Sequence, residues 1–180
     1  MKKVLLALIV LLILYSCNNS HNNGYYSEID INRQVDSIMG LMTLDEKIGQ
    51  TIMYSGDWNN TGPYVTSDNM KFLKEGNLGS MLNVYTAKGT RELQKIAVNE
   101  TRLGIPLIFG YDVIHGFKTI FPINIGIASS WDLESVHEVA KISAEEASAS
   151  GVHWTFAPMI DISRDPRWGR ISEGSGEDVY

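Results

Sequence analysis

Apolar positions along this chain change period several times, and the order of those changes outlines an alternating fold. Val35, Ile38, Met39 and Met42 recur at helical spacing. Thr43 follows, with Glu46 three residues on, the spacing at which a hydroxyl and a carboxylate satisfy free amides at a helix start. Residues 48–54 read as a first strand that ends at Ser55-Gly56. Beyond a polar loop containing Gly62-Pro63, residues 70–75 form a short helix and 79–84 a second strand. Residues 91–101 carry Leu93, Ile96 and Ala97 on one helical face. Residues 106–113 are nearly continuous in apolar character, the mark of a strand buried on both sides. Leu133, Val136, Ala140, Ala144 and Ala147 line one face of a long helix that stops at Gly151, and a fourth strand covers 153–160.

From the first strand on, strands and helices alternate, which implies parallel βαβ units and an α/β fold. Two architectures satisfy that order: an open doubly wound sheet and a (β/α)₈ barrel. No Gly-x-Gly-x-x-Gly follows the first strand, which counts against the nucleotide-binding form of the doubly wound sheet. A barrel takes roughly 250 residues, so four strands would make the N-terminal half of one. The pattern by itself leaves both open.

The N-terminus has a different character. Lys2 and Lys3 precede an unbroken apolar run from Val4 to Tyr15. A bilayer span needs about 20 such residues, so the run suits the core of a signal peptide. Leu14-Tyr15-Ser16-Cys17 resembles a bacterial lipobox, in which cleavage precedes an acylated cysteine; Tyr15 departs from the small residue usual at its position. Cys17 is the only cysteine, so it has no internal disulfide partner, and acylation would account for its presence on an exported protein. Residues 1–16 are therefore expected to be a lipoprotein signal peptide, and 17–30 a polar tether. The folded domain is expected over 31–180. A lipid anchor at Cys17 would place the protein at a bacterial envelope, on the outer membrane and facing the periplasm. An ordinary signal peptide with an incidental cysteine is the competing reading.

Composition adds mainly exclusions. The chain is 44% hydrophobic and 20% charged, with a net charge of −6 and no basic stripe, which argues against nucleic acid as a partner. No His-Glu-x-x-His or Cys-x-x-Cys pairing is present, so a bound zinc has no support in the sequence. Polar chemistry gathers instead after the third and fourth strands. One cluster is Tyr111-Asp112-Val113-Ile114-His115-Gly116. The other runs from Asp161 through Arg164-Asp165-Pro166-Arg167-Trp168-Gly169-Arg170 to Ser172-Glu173. A carboxylate accepts hydroxyl hydrogen bonds, a guanidinium offers fixed donors and an indole gives a flat apolar face, a combination suited to a pyranose. The same residues also suit a salt-bridged loop clamp with Trp168 at its centre, and residue chemistry leaves the two readings level.

Five motifs in fixed order carry a resemblance. Arg-Leu-Gly-Ile-Pro (102–106), Tyr-Asp-Val-Ile-His-Gly (111–116), Phe-Pro (121–122), Ala-Pro-Met-Ile-Asp (157–161) and Arg-Asp-Pro-Arg-Trp-Gly-Arg (164–170), with the Ser-Glu-Gly-Ser-Gly-Glu-Asp tail, resemble family 3 β-glucosidases from about residue 33 on. The resemblance implies a TIM-like barrel and retaining hydrolysis of β-linked oligosaccharides, with no cofactor. β-Glucosidase is the leading activity, with β-xylosidase and a non-catalytic sugar-binding envelope lipoprotein as alternatives. By the same resemblance, Asp112 and Arg170 would bind the sugar of the −1 subsite. Asp165 and Glu173 would hold arginines in place, and His115 and Trp168 would serve the architecture. Retaining hydrolysis needs a nucleophilic carboxylate and an acid/base about 5–5.5 Å apart. Both are expected after Tyr180, so this stretch alone is expected to be inactive, and Asp161, Glu173 and Asp178 are not assigned to either role.

Overall fold

The computed structural model describes residues 27–56 and 68–178. The signal-peptide segment and Cys17 lie outside the described residues. The chain divides into two units, 1–41 and 42–180.

The described part of the first unit is helix α1, Glu28–Leu41. Polar composition marked residues up to Asp30 as tether, yet the helix starts at Glu28. Ser27 explains the early start: its Oγ accepts from the Asp30 amide at 3.2 Å and donates to the Asp30 carboxylate at 2.6 Å. Glu28 and Asp30 also place negative charge in the first turn, where the helix dipole favours it. The apolar stripe Val35, Ile38 and Met39 is exposed.

The second unit runs α2 (Leu44–Gln50), β1 (Met53–Ser55), α3 (Asn69–Lys74), β2 (Ser80–Leu82), α4 (Ala87–Glu100) and β3 (Ile108–Tyr111). It continues with α5 (Asn124–Ala128), α6 (Leu133–Ala149), β4 (Trp154–Thr155) and a 3₁₀ turn, η1 (Ile171–Glu173). All strand pairs are parallel, in the order β1-β2-β3-β4. A doubly wound sheet reverses its strand order at a switch point. This one advances in chain order, as the strands of a barrel do, so the topology decides what periodicity left open. The unit is the N-terminal part of a TIM-like (β/α)₈ barrel.

The core lies on the helical side of the sheet. Met81 and Phe109 pack there with Leu73, Leu93, Ala97 and Leu107, all buried. Burying a side chain the size of Phe109, which is 1% exposed, contributes about 1.5–3 kcal/mol. A smaller cluster joins Val113 to Ala147 and Val152. Gly151 closes α6 with φ +87°, and a Cβ there would come within 2.3 Å of Thr90 Oγ1, so both backbone angle and space call for glycine.

Several expectations shift. The first strand does not begin at 48. The Thr43–Glu46 capping box carries α2 through Gln50, and pairing starts only at Met53. In the strand expected over 106–113, Phe109 is enclosed on the helix-covered face, while Ile108 stands on the face that lines the interior of a barrel. The fourth strand shrinks from 153–160 to Trp154–Thr155. On α6, the expected stripe is largely open, with Leu133 85% exposed. The buried positions are Ser143 and Ala147, the latter packed with Val113 and Val152. Helix α5 was not anticipated at all, since five residues are too few to show a period.

Candidate functional site

Residues that leave β3 and β4 at their C-terminal ends build the site. Alternation along β3 sends Phe109 into the helix-covered core, while a Cβ at Gly110 would meet Phe156 and Met53 on the inner face. Asp112, the next residue in phase with Gly110, follows on that inner side at the rim and is exposed. Beneath it, Tyr111 packs against Tyr85 and Phe117, with ring centroids 5.4 and 5.5 Å away. The Tyr111 hydroxyl is pushed above its ordinary pKa by burial first, and then by Tyr85 and the nearby Asp112 carboxylate.

The segment after Asp112 is a closed loop. The Phe121 amide donates to the His115 carbonyl at 2.9 Å, and His115 Nδ1 donates to the Phe121 carbonyl at 3.0 Å. A carbonyl can only accept, which places the Nδ1 proton. Gly116 has φ +117°, and a Cβ there would fall 1.9 Å from the Thr119 carbonyl oxygen. Glu146 on α6 receives the Lys118 and Thr119 amides, both at 2.8 Å, and the Thr119 hydroxyl at 2.7 Å. Those donors, Thr119 foremost, hold the Glu146 carboxyl below its ordinary pKa. His115 thus acts through the loop, as a structural tie.

The second arm is the stretch after β4. Met159 bridges Gly174, and the Ser163 amide donates to the Gly176 carbonyl at 2.9 Å, so the stretch returns on itself. Across the turn η1, Arg170 reaches the Glu173 carboxylate through Nε at 3.1 Å and Nη2 at 2.6 Å. Their hydrogen bonds are the main reason that Glu173 titrates low and Arg170 high. The charges of Glu173, Asp161 and Asp112 raise Arg170 further. Arg170 Nη1 makes no hydrogen bond to any of the described residues.

The structure therefore bonds Arg170 to Glu173, places Asp112 just beyond β3, and leaves Asp165 aside. Asp165 pairs with Arg167, from Nε at 3.0 Å and Nη2 at 2.5 Å, at an exposed position. Arg167 is the main cause of the low Asp165 pKa. Such an exposed pair adds little stability. Trp168 is half-buried; its amide donates to the Asp165 carbonyl, and its own carbonyl accepts from Ile171. His153, at the start of the fourth strand segment, accepts the Phe109 amide at 3.2 Å through Nδ1, so it completes the sheet. Among the described residues, no group of His, Cys, Asp or Glu converges to hold a metal. Residue reading missed Glu146 and Asn124. Asn124 stands just after the Phe-Pro motif, a position that could have drawn notice; Glu146 gave no local signal.

Residues 43–180 match the glycosyl hydrolase family 3 N-terminal domain. The chain belongs to glycosyl hydrolase family 3. This family 3 chain is 45% identical over 147 residues to a periplasmic β-glucosidase of Salmonella typhimurium, a match that covers 81% of the chain and 19% of the relative. It is 30% identical to a putative β-xylosidase of Formosa agariphila, with 100% of the chain and 26% of the relative covered. Among solved structures, a Listeria innocua β-glucosidase in complex with isofagomine superimposes with a TM-score of 0.72 and 44% identity, over 81% of this chain and 20% of that one. The family 3 chain thus spans about a fifth to a quarter of the length of these proteins.

Proposed function

We propose that these residues form part of the −1 sugar-binding wall of a retaining β-glycosidase, a β-glucosidase in the first instance. The observation that carries the reading is that Asp112 follows β3 and Arg170, braced by Glu173, follows β4, so both stand beyond the C-terminal ends of neighbouring parallel strands. Barrel enzymes assemble their sites on that rim. The Asp112 carboxylate accepts hydroxyl hydrogen bonds from the sugar, while the guanidinium supplies donors that its bonds to Glu173 leave over. Neither the nucleophile nor the acid/base is assigned to any of these residues. Of the local acids, Glu173 and Asp165 are bonded to arginines.

Turnover of an aryl β-glucoside by the protein from its complete reading frame tests the reading. Asp112→Ala should lower kcat/KM by about 10²–10³-fold, since hydrogen bonds between a charged group and sugar hydroxyls strengthen in the transition state. An unimpaired variant would overturn the assignment. Faster turnover of the matching β-xyloside would favour the xylosidase form, which the name of the Formosa relative supports. Saturable sugar binding without turnover would make the protein a recognition module.

We also propose an envelope location, through acylation of Cys17. Support comes from the charged n-region, the apolar run and the lone cysteine, and the Salmonella relative is named as periplasmic. Metabolic labelling with a clickable palmitate should mark the protein, and Cys17→Ser should abolish the label and release the protein from membranes.

A further inference from the structure

Arg170 and Glu173 form one arm of the site, and Asp112 begins the other. Their relative placement depends on whatever joins the two arms. Among the described residues, one side-chain hydrogen bond links them directly. Asn124, the first residue of α5, donates from Nδ2 to the Glu173 carbonyl oxygen at 2.6 Å. Helix α5 packs against η1 along the same contact. Two kinds of bond thus meet on a single residue: the Glu173 main chain is held by Asn124, and its side chain holds Arg170 through Nε and Nη2.

Asn124 is in turn placed by the loop that leaves Asp112. Its course is closed by the His115–Phe121 pair of bonds, and by Glu146 gripping Lys118 and Thr119. Pro122 and Ile123 then lead directly into Asn124. From Asp112 to Asn124 the chain is a strut, and from Asn124 to Arg170 the connection is hydrogen-bonded. On the far side of Glu173 the backbone has little room to shift. A Cβ on Gly174 would lie 3.0 Å from Ser163 Oγ and 3.3 Å from the Asp161 carbonyl oxygen.

We infer that Asn124 is a positioning residue for sugar binding: its amide fixes Glu173, and through Glu173 the Arg170 guanidinium, relative to Asp112. The inference rests on the sugar-site reading above. It goes beyond that reading by naming a residue that bonds to the Glu173 main chain and not to the arginine.

The experiment is a double-mutant cycle on aryl β-glucoside hydrolysis by the protein from its complete reading frame. Asn124→Ala should lower kcat/KM by about tenfold, the size expected for loss of one hydrogen bond that orders a charged group. Asn124→Asp has the same size but no N–H₂ donor, and should lose as much; it also serves if the alanine variant does not fold. The decisive measurement combines either variant with Arg170→Lys. If Asn124 acts through Arg170, the double variant should be less than about twofold worse than Arg170→Lys alone, because coupled residues are not additive. Multiplying losses, or a single-variant loss under twofold, would overturn the inference. Asp112→Ala is run alongside: full activity in that variant would bring down the sugar-site reading itself, a result distinct from failure at Asn124.

Discussion

Two arginine–glutamate pairs in this chain use the same chemistry for different ends. Glu46 with Arg102 belongs to segments that precede β1 and β3, whereas Glu173 with Arg170 follows β4. The first pair is absorbed into the fold. Glu46 is 7% exposed, and its carboxylate takes the Thr43 amide at 2.8 Å as well as Arg102 Nε at 2.9 Å and Nη2. Those bonds, Arg102 foremost, bring its pKa from 4.5 to about 2. In the second pair the glutamate is more open, the arginine is as exposed as Arg102, and Arg170 Nη1 bonds to none of the described residues. The first pair ties the cap of α2 to the segment that precedes β3. The other holds a guanidinium still while part of it stays available, as a binding group must be.

The contrast makes graded predictions. The largest effect is on activity at the rim. Arg170→Ala should lower kcat/KM by about 10²–10³-fold, from loss of a charged donor in the site, while thermal stability stays near wild type. Near-normal turnover would reduce this pair to a loop clamp. Arg102→Ala should do the reverse. It strands a carboxylate out of water, so the melting temperature should drop by more than in Arg170→Ala, with kcat/KM per folded molecule little changed.

Acid separates the pairs next. Between about 2 and 4.5 the unfolded chain binds a proton at Glu46 that the folded chain does not. Its contribution is therefore complete above the unfolded value and fades as pH falls through that window. Glu46→Gln should flatten the acid slope of stability in denaturant melts. A slope identical to wild type would remove Glu46 from the account. The smallest effect is expected from Thr43→Ala, which deletes the cap on α2 and should cost about 1 kcal/mol in the same melts.

Legibility in the sequence followed the range of the interaction. The capping box at Thr43 was readable because its partners lie three residues apart, and the α6 terminus because Gly151 signals its own left-handed backbone. The face that α6 buries was misjudged. Ala140 and Ala144 have the right spacing, but which stripe is covered depends on where Val113 and Val152 arrive. Likewise, the run 106–113 is apolar throughout, and only the fold shows that helices cover the face that holds Phe109. In the site, Asp112 and Arg170 were marked by motif. The separation of Asp165 from Glu173 was not, since both are acids near arginines in the same stretch.

By itself, the sequence determined the alternation of strands and helices, the two polar clusters after β3 and β4, and the family resemblance. These are local matters of spacing, capping and motif. Strand order, and with it the choice of barrel over doubly wound sheet, was decided only in three dimensions, because parallel pairing joins residues far apart in the chain. So was the assignment of each arginine to its acid, and the reach of Asn124 to Glu173 across 49 positions. A hydrogen bond of that kind leaves no period in the sequence, yet it sets where the guanidinium stands.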